Sequence, residues 1–165
     1  MHEWPFGVAI GDVIGGYQLA HVASAEGIAA IDHLAGKKIL MNVDHIPRCI
    51  YTTPEIASVG LTEQQAKGKG IVYKVEKYNH RASGKALAIG ETDGFTKILY
   101  DAQYGEVLGV TIVGPYATEM ISESTAFMAL EGTITELANT IHPHPTMSEG
   151  IFEAALEARH KLTKH

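Results

Sequence analysis

The stretch His142-Pro143-His144-Pro145-Thr146-Met147-Ser148-Glu149 contains the residues of this chain best suited to chemistry. Glu149 follows His144 by five residues, across a proline-interrupted turn and into an apolar-periodic segment. A carboxylate placed there can orient one imidazole nitrogen and leave the other free to exchange a proton. Histidine suits that task because its unperturbed pKa is about 6.5, close to neutrality. The same spacing also has a local explanation. Thr146 and Glu149 are positioned as a reciprocal capping box, in which hydroxyl and carboxylate satisfy early backbone amides of a helix. Capping needs only local geometry, whereas acid/base chemistry needs a substrate as well, so both readings stand at this point.

The remaining candidates are weaker. His142 and His144 form at most a fragment of a metal site; closed zinc sites take four ligands, and no dense cluster supplies the rest, so no metal is expected. Asp12, after Gly11 at the end of an apolar run, can face a polar ligand in an α/β crevice or serve an ordinary turn. Ala20 and His21, following Leu19, can present backbone donors at a helix start. Neither GxGxxG nor GxxxxGK[ST] occurs, so a complete dinucleotide site is not expected. Ser122, Ser124 and Thr125 lack a sequence-defined base and read as helix-surface hydroxyls. The single cysteine, Cys49, cannot form an intrachain disulfide and reads as a packing residue. Tyr73, Tyr78 and Tyr100 read as sheet packing or part of an interface.

These residues need a frame. Phe6 to Asp12 reads as a short buried strand ending in a turn, and Leu19 to Leu34 as an alanine-rich helix. The pattern breaks between Ala35 and His45, which divides a first partial unit, residues 1–45, from a main unit, residues 46–165. Strands are expected at Arg48–Thr52, Ile71–Tyr78, Ala86–Gly90, Phe95–Tyr100 and Val107–Val113, the last three joined as antiparallel hairpins by their short separations. Helices are expected after the Thr62 and Thr133 capping boxes, over Thr118–Leu130, and from the Thr146 box through Lys161. The resulting class is α+β, a mostly antiparallel sheet covered by helices.

Composition limits the functions open to such a frame. With 165 residues, 45% hydrophobic and 19% charged, the chain can bury one ordinary core. A formal charge of −6 disfavours nucleic acid, and no apolar run reaches membrane-spanning length. A soluble, cytoplasmic protein is expected.

Val8-Ala9-Ile10-Gly11-Asp12, Leu19-Ala20-His21 and Ala25-Glu26-Gly27 resemble the end of the FAD-binding domain of flavin-linked pyridine nucleotide-disulfide oxidoreductases. Tyr51-Thr52-Thr53-Pro54-Glu55-Ile56-Ala57-Ser58-Val59-Gly60 resembles the opening of that family's interface, or dimerisation, domain, and His142 to Glu149 resembles its active-site segment. The resemblance is greatest to the dihydrolipoyl dehydrogenase branch. It implies an acid/base role for His144, oriented by Glu149, at the disulfide centre of the other subunit of a homodimer. It further implies FAD contacts for Gly11, Asp12, Leu19, Ala20 and His21, and an approach of His142 and Pro143 to the partner's flavin. The complete enzymes of that branch use FAD and NAD and work with a lipoyl-bearing multienzyme complex. The chain departs from the pattern in lacking the paired redox cysteines, the first FAD phosphate loop and the NAD-binding segment. Alone it is expected to be inactive and to hold neither cofactor stably. A free-standing binding module derived from this domain, the interface domain of a related disulfide reductase, and an autonomous flavin enzyme are the alternatives.

Overall fold

The computed structural model describes residues 2–4, 7–39 and 41–163. The chain divides into two compact units, the first ending at Val43 and the second beginning at Asp44. In the first, β1 (His2–Trp4) pairs antiparallel with β2 (Gly7–Ala9), a one-turn 3-10 helix follows at Gly11–Ile14, and α1 spans Ala20–Leu34. Of the expected buried strand, Gly7–Ala9 forms as β2 and is half-buried to exposed; Phe6 lies outside the described residues.

The second unit is built on a five-stranded sheet, ordered β3-β4-β7-β6-β5, with every neighbouring pair antiparallel. Its strands are β3 (Arg48–Ile50), β4 (Ile56–Gly60), β5 (Tyr73–Asn79), β6 (Phe95–Asp101) and β7 (Val107–Val113). Alternation fixes the register: Ala57, Val59, Thr96, Ile98, Val110 and Ile112 are buried, and Ala57 stands opposite Ile112 as Ile98 stands opposite Val110. A slip of one residue would turn this entire set away from the core.

Helices α2 (Glu63–Gly68), α3 (Gly84–Ile89), α4 (Ala117–Ala129), α5 (Ile134–Asn139) and α6 (Glu149–Thr163) complete the unit. Helix α4 packs on β4 and β7, while α6 packs on β5 and β6 and against α5. The buried stripe of α6 is Ile151, Ala154, Ala155 and Ala158, spaced at the helical period, and its small residues let the helix lie close to the sheet. The architecture is the expected antiparallel α+β arrangement. Among the described residues no helix is long and apolar enough to cross a membrane.

Two expectations fail. Ala86–Gly90 is not a strand: it belongs to α3, because the Ser83 hydroxyl caps Ala86 N–H at 3.3 Å and Gly90 closes the helix in the left-handed region at φ 75°. The Lys-Ala-Leu-Ala run between these caps consists of good helix formers, which outweighs its brief apolar alternation. Ser124 is not a surface hydroxyl either. It is fully buried, because it shares the inward face of α4 with Met120, Ile121 and Met128.

Candidate active site

The loop from His142 to Ser148 is held between the end of α5 and the first turn of α6. Proline at 143 and 145 keeps the segment out of helix, and the His144–Pro145 peptide is cis. His144 Nδ1 lies 2.8 Å from Glu149 Oε1, and the other carboxylate oxygen accepts a 2.8 Å hydrogen bond from Thr146 N–H. One carboxylate thus orients the imidazole and tethers the turn ahead of α6. Only half of the expected capping box forms, since the Thr146 hydroxyl donates instead to Pro143 C=O at 2.8 Å.

The geometry assigns the ring's tautomer. An ionised carboxylate can only accept, so Nδ1 of His144 carries a proton, and in the neutral ring Nε2 carries the lone pair. The hydrogen bond from His144, followed by the one from Thr146 N–H, holds the Glu149 carboxyl below its ordinary range and keeps it ionised. His144 has 77% of its side chain exposed, against 26% for Glu149. The arrangement can accept a proton at Nε2 and stabilise the resulting imidazolium through Glu149.

His142 does not join this pair. Its side chain is 5% exposed, with Nδ1 3.0 Å from Thr140 C=O and Nε2 2.7 Å from Glu123 Oε1. Its ring also packs on Phe152, with centroids 5.7 Å apart. Glu123 was not apparent from sequence: it lies on α4, 19 residues ahead of its partner, and only the packing of α4 against the loop brings the two together. Among the described residues, no group of three or more potential ligands could hold a metal ion.

The first unit places the other candidates. Gly11 N–H donates to Glu26 Oε2 at 2.7 Å, tying the turn after β2 to α1, and Asp12 is exposed within that turn. Helix α1 begins at Ala20, next to His21, and its N-cap residue Leu19 offers no side-chain acceptor to the first-turn amides. Cys49 lies on β3, partly buried at the core margin, and burial pushes its thiol up from the ordinary value.

This antiparallel unit, ending in a paired histidine and carboxylate, defines an interface domain of the disulfide reductases, and the family's sequence pattern agrees. Residues 46–155 match the dimerisation domain of the pyridine nucleotide-disulphide oxidoreductases, and the chain belongs to that family. It is 54% identical over 151 residues to a dihydrolipoyl dehydrogenase of Bacillus subtilis, covering 91% of this chain and 32% of that protein. A dihydrolipoyl dehydrogenase of Thermus scotoductus is 46% identical over 157 residues, covering 95% of this chain and 34% of the relative. Among solved structures, LpdA from Mycobacterium tuberculosis superposes with a TM-score of 0.85 at 29% identity, covering 90% of this chain and 33% of that one. The HOCl-induced flavoprotein disulfide reductase RclA from Escherichia coli gives 0.80 at 27% identity, covering 89% and 34%. The chain therefore spans about a third of the length of the curated relatives it matches.

Proposed function

We propose that this chain is the dimerisation domain, with part of the active site, of a dihydrolipoyl dehydrogenase acting in the cytoplasm as a homodimer. The observation that carries the reading is the His144–Glu149 pair, 2.8 Å apart, standing exposed on a loop fixed at both ends. In the complete enzyme this pair faces the other subunit's cysteine pair. His144 Nε2 takes the proton of a dihydrolipoamide thiol, leaving a thiolate able to attack the disulfide, and Glu149 stabilises the imidazolium until the proton is released. The higher identity to dihydrolipoyl dehydrogenases, 54% against 27% to RclA, favours this branch over another disulfide reductase.

The first unit has groups suited to part of an FAD site. The start of α1 at Leu19, Ala20 and His21, which has no side-chain cap, is the segment the family resemblance assigns to the flavin ring, and exposed Asp12, on a turn braced through Gly11, can bind hydroxyls of a ribityl chain. The backbone at His142 and Pro143 serves the partner's flavin. When bound, FAD supplies the electron-accepting centre, with NAD as the final acceptor. The chain carries no phosphate-binding glycine loop, so by itself it is expected to hold neither cofactor firmly and to be inactive. A lipoyl-bearing multienzyme complex is the partner this reaction calls for.

Stopped-flow reduction of the flavin by dihydrolipoamide tests the reading. His144→Ala in the complete enzyme should slow that half-reaction by about 10²- to 10⁴-fold, the usual worth of a positioned acid/base group. An unchanged reduction rate would remove His144 from the mechanism.

A further inference from the structure

Behind the exposed pair lies a titratable group to which the proposed mechanism gives no task. His80 begins a 3-10 turn after β5 and is fully buried. Its backbone N–H donates to Gly94 C=O at 3.1 Å, and its ring Nε2 lies 3.1 Å from the Thr96 hydroxyl of β6. Nδ1 is buried without a hydrogen-bond partner. Glycines surround the ring: a Cβ on Gly94 or Gly114 would sit 2.8 or 2.7 Å from Nδ1, so nothing larger fits on that side. On the other side stands Gly150, where a Cβ would come within 3.0 Å of the Thr96 hydroxyl oxygen and 3.5 Å of His80 Nε2. Gly150 directly follows Glu149, so the His80–Thr96 contact supports the first turn of the helix that carries the orienting carboxylate.

We infer that His80 is a positioning residue for the His144–Glu149 pair: its ring, bonded to Thr96, forms the floor under Gly150, and it does so only while it carries a single ring proton. One proton suffices for the Thr96 bond in either tautomer. A second would place a cation in a shell of glycine backbone and one hydroxyl. Burial accordingly lowers the pKa of His80 from its ordinary value.

Several charged groups on the surrounding elements are already engaged. Arg81 pairs with Asp93 at 3.2 Å, Lys77 lies 4.0 Å from the Phe95 ring centroid, and Glu149 holds His144 and Thr146 N–H. Tyr78, whose ring approaches Gly150, stays neutral because burial, then Glu153 and Glu149, raise its pKa. The sign follows. With its folded pKa depressed, His80 contributes stability that is complete above about pH 6.5 and is lost as pH falls through the lower folded value.

The inference depends on the proposed role of the pair only for its catalytic consequence, so the test reads geometry and not turnover. Nitrogen-15 NMR of the imidazole rings reports which nitrogen of His144 carries the proton, and the Gly150 amide reports the seating of α6. In the protein as isolated, the neutral form of His144 should be the Nδ1–H tautomer. His80→Ala should lose that preference and His80→Phe, which keeps a ring over Thr96, should restore it. As pH falls below about 6.5, toward the lower folded value of His80, the Gly150 amide should move together with the His80 ring, and that movement should vanish in His80→Phe. An Nδ1–H preference that survives in His80→Ala, or a Gly150 amide that ignores the His80 titration, overturns the inference. Should His80→Ala fail to fold, the comparison of wild type with His80→Phe decides it alone.

Discussion

The loop ahead of α6 carries the histidines of two histidine–carboxylate pairs with nearly equal hydrogen bonds and opposite surroundings. His144–Glu149 closes at 2.8 Å with 77% of the imidazole side chain exposed, whereas His142–Glu123 closes at 2.7 Å with 5% exposed. The bonds are alike, so the surroundings decide the task. In the exposed pair, among the described residues, Nδ1 is the ring nitrogen with a partner, which leaves Nε2 for the proposed proton transfer. In the buried pair both nitrogens face acceptors, a carbonyl and a carboxylate, so the ring is a two-ended clamp joining α4 to the loop. A histidine next to a carboxylate is therefore not enough to propose a proton carrier; an accessible second ring nitrogen is needed as well.

Substitutions can break the comparison. Glu149→Gln in the complete enzyme should lower the rate of thiol oxidation, by up to about 10⁴-fold, the loss that follows when the carboxylate orienting a catalytic imidazole becomes an amide. The measurement is stopped-flow flavin reduction, and a rate within experimental error of wild type would reduce Glu149 to a helix tether. Glu123→Ala should act on stability, because it leaves a buried ring nitrogen without its acceptor. A loss of about 1–3 kcal/mol in urea denaturation is expected. If Glu123→Ala instead slowed chemistry while leaving stability intact, the division of labour between the pairs would be wrong.

Acid sharpens the contrast by a smaller amount. Hydrogen bonding from His144 depresses the folded pKa of Glu149, so its contribution to stability is complete above the unfolded carboxylate value of about 4.3 and is lost as pH falls through the lower folded one. Glu149→Gln should therefore flatten the acid limb of the stability curve below about pH 4.3, which acid-unfolding curves of the two proteins would show. This window is separate from that of His80, which opens below about pH 6.5.

How much of this was legible beforehand follows the range of the interactions. Strand β7 was read at its observed bounds, and the Thr62 and Thr133 capping boxes both form, because alternation and capping are encoded within a few neighbouring residues. Ala86–Gly90 was misread because a five-residue apolar run has no distinctive period; the decisive signals were the serine before it and the glycine at its end. His144 and Glu149 were visible as a candidate pair through their short separation, but not as a bonded one. Glu123, Thr96 and His80 were invisible as site residues. Each acts through a partner brought near by sheet register or helix packing, and no local pattern announces that. Ser124 was misplaced for the same reason, since the side of α4 that faces inward is settled by the sheet beneath it.

The central claim is that this domain lends its His144–Glu149 pair to the active site of a second subunit. Subunit complementation tests it most directly: two inactive forms of the complete oxidoreductase, one carrying His144→Ala and the other lacking its redox cysteine pair, are unfolded together, refolded as mixed dimers and assayed for dihydrolipoamide oxidation. The account predicts that activity returns, because one of the two sites in each mixed dimer then combines an intact histidine from one chain with an intact cysteine pair from the other. Mixed dimers that form and remain inactive would contradict it.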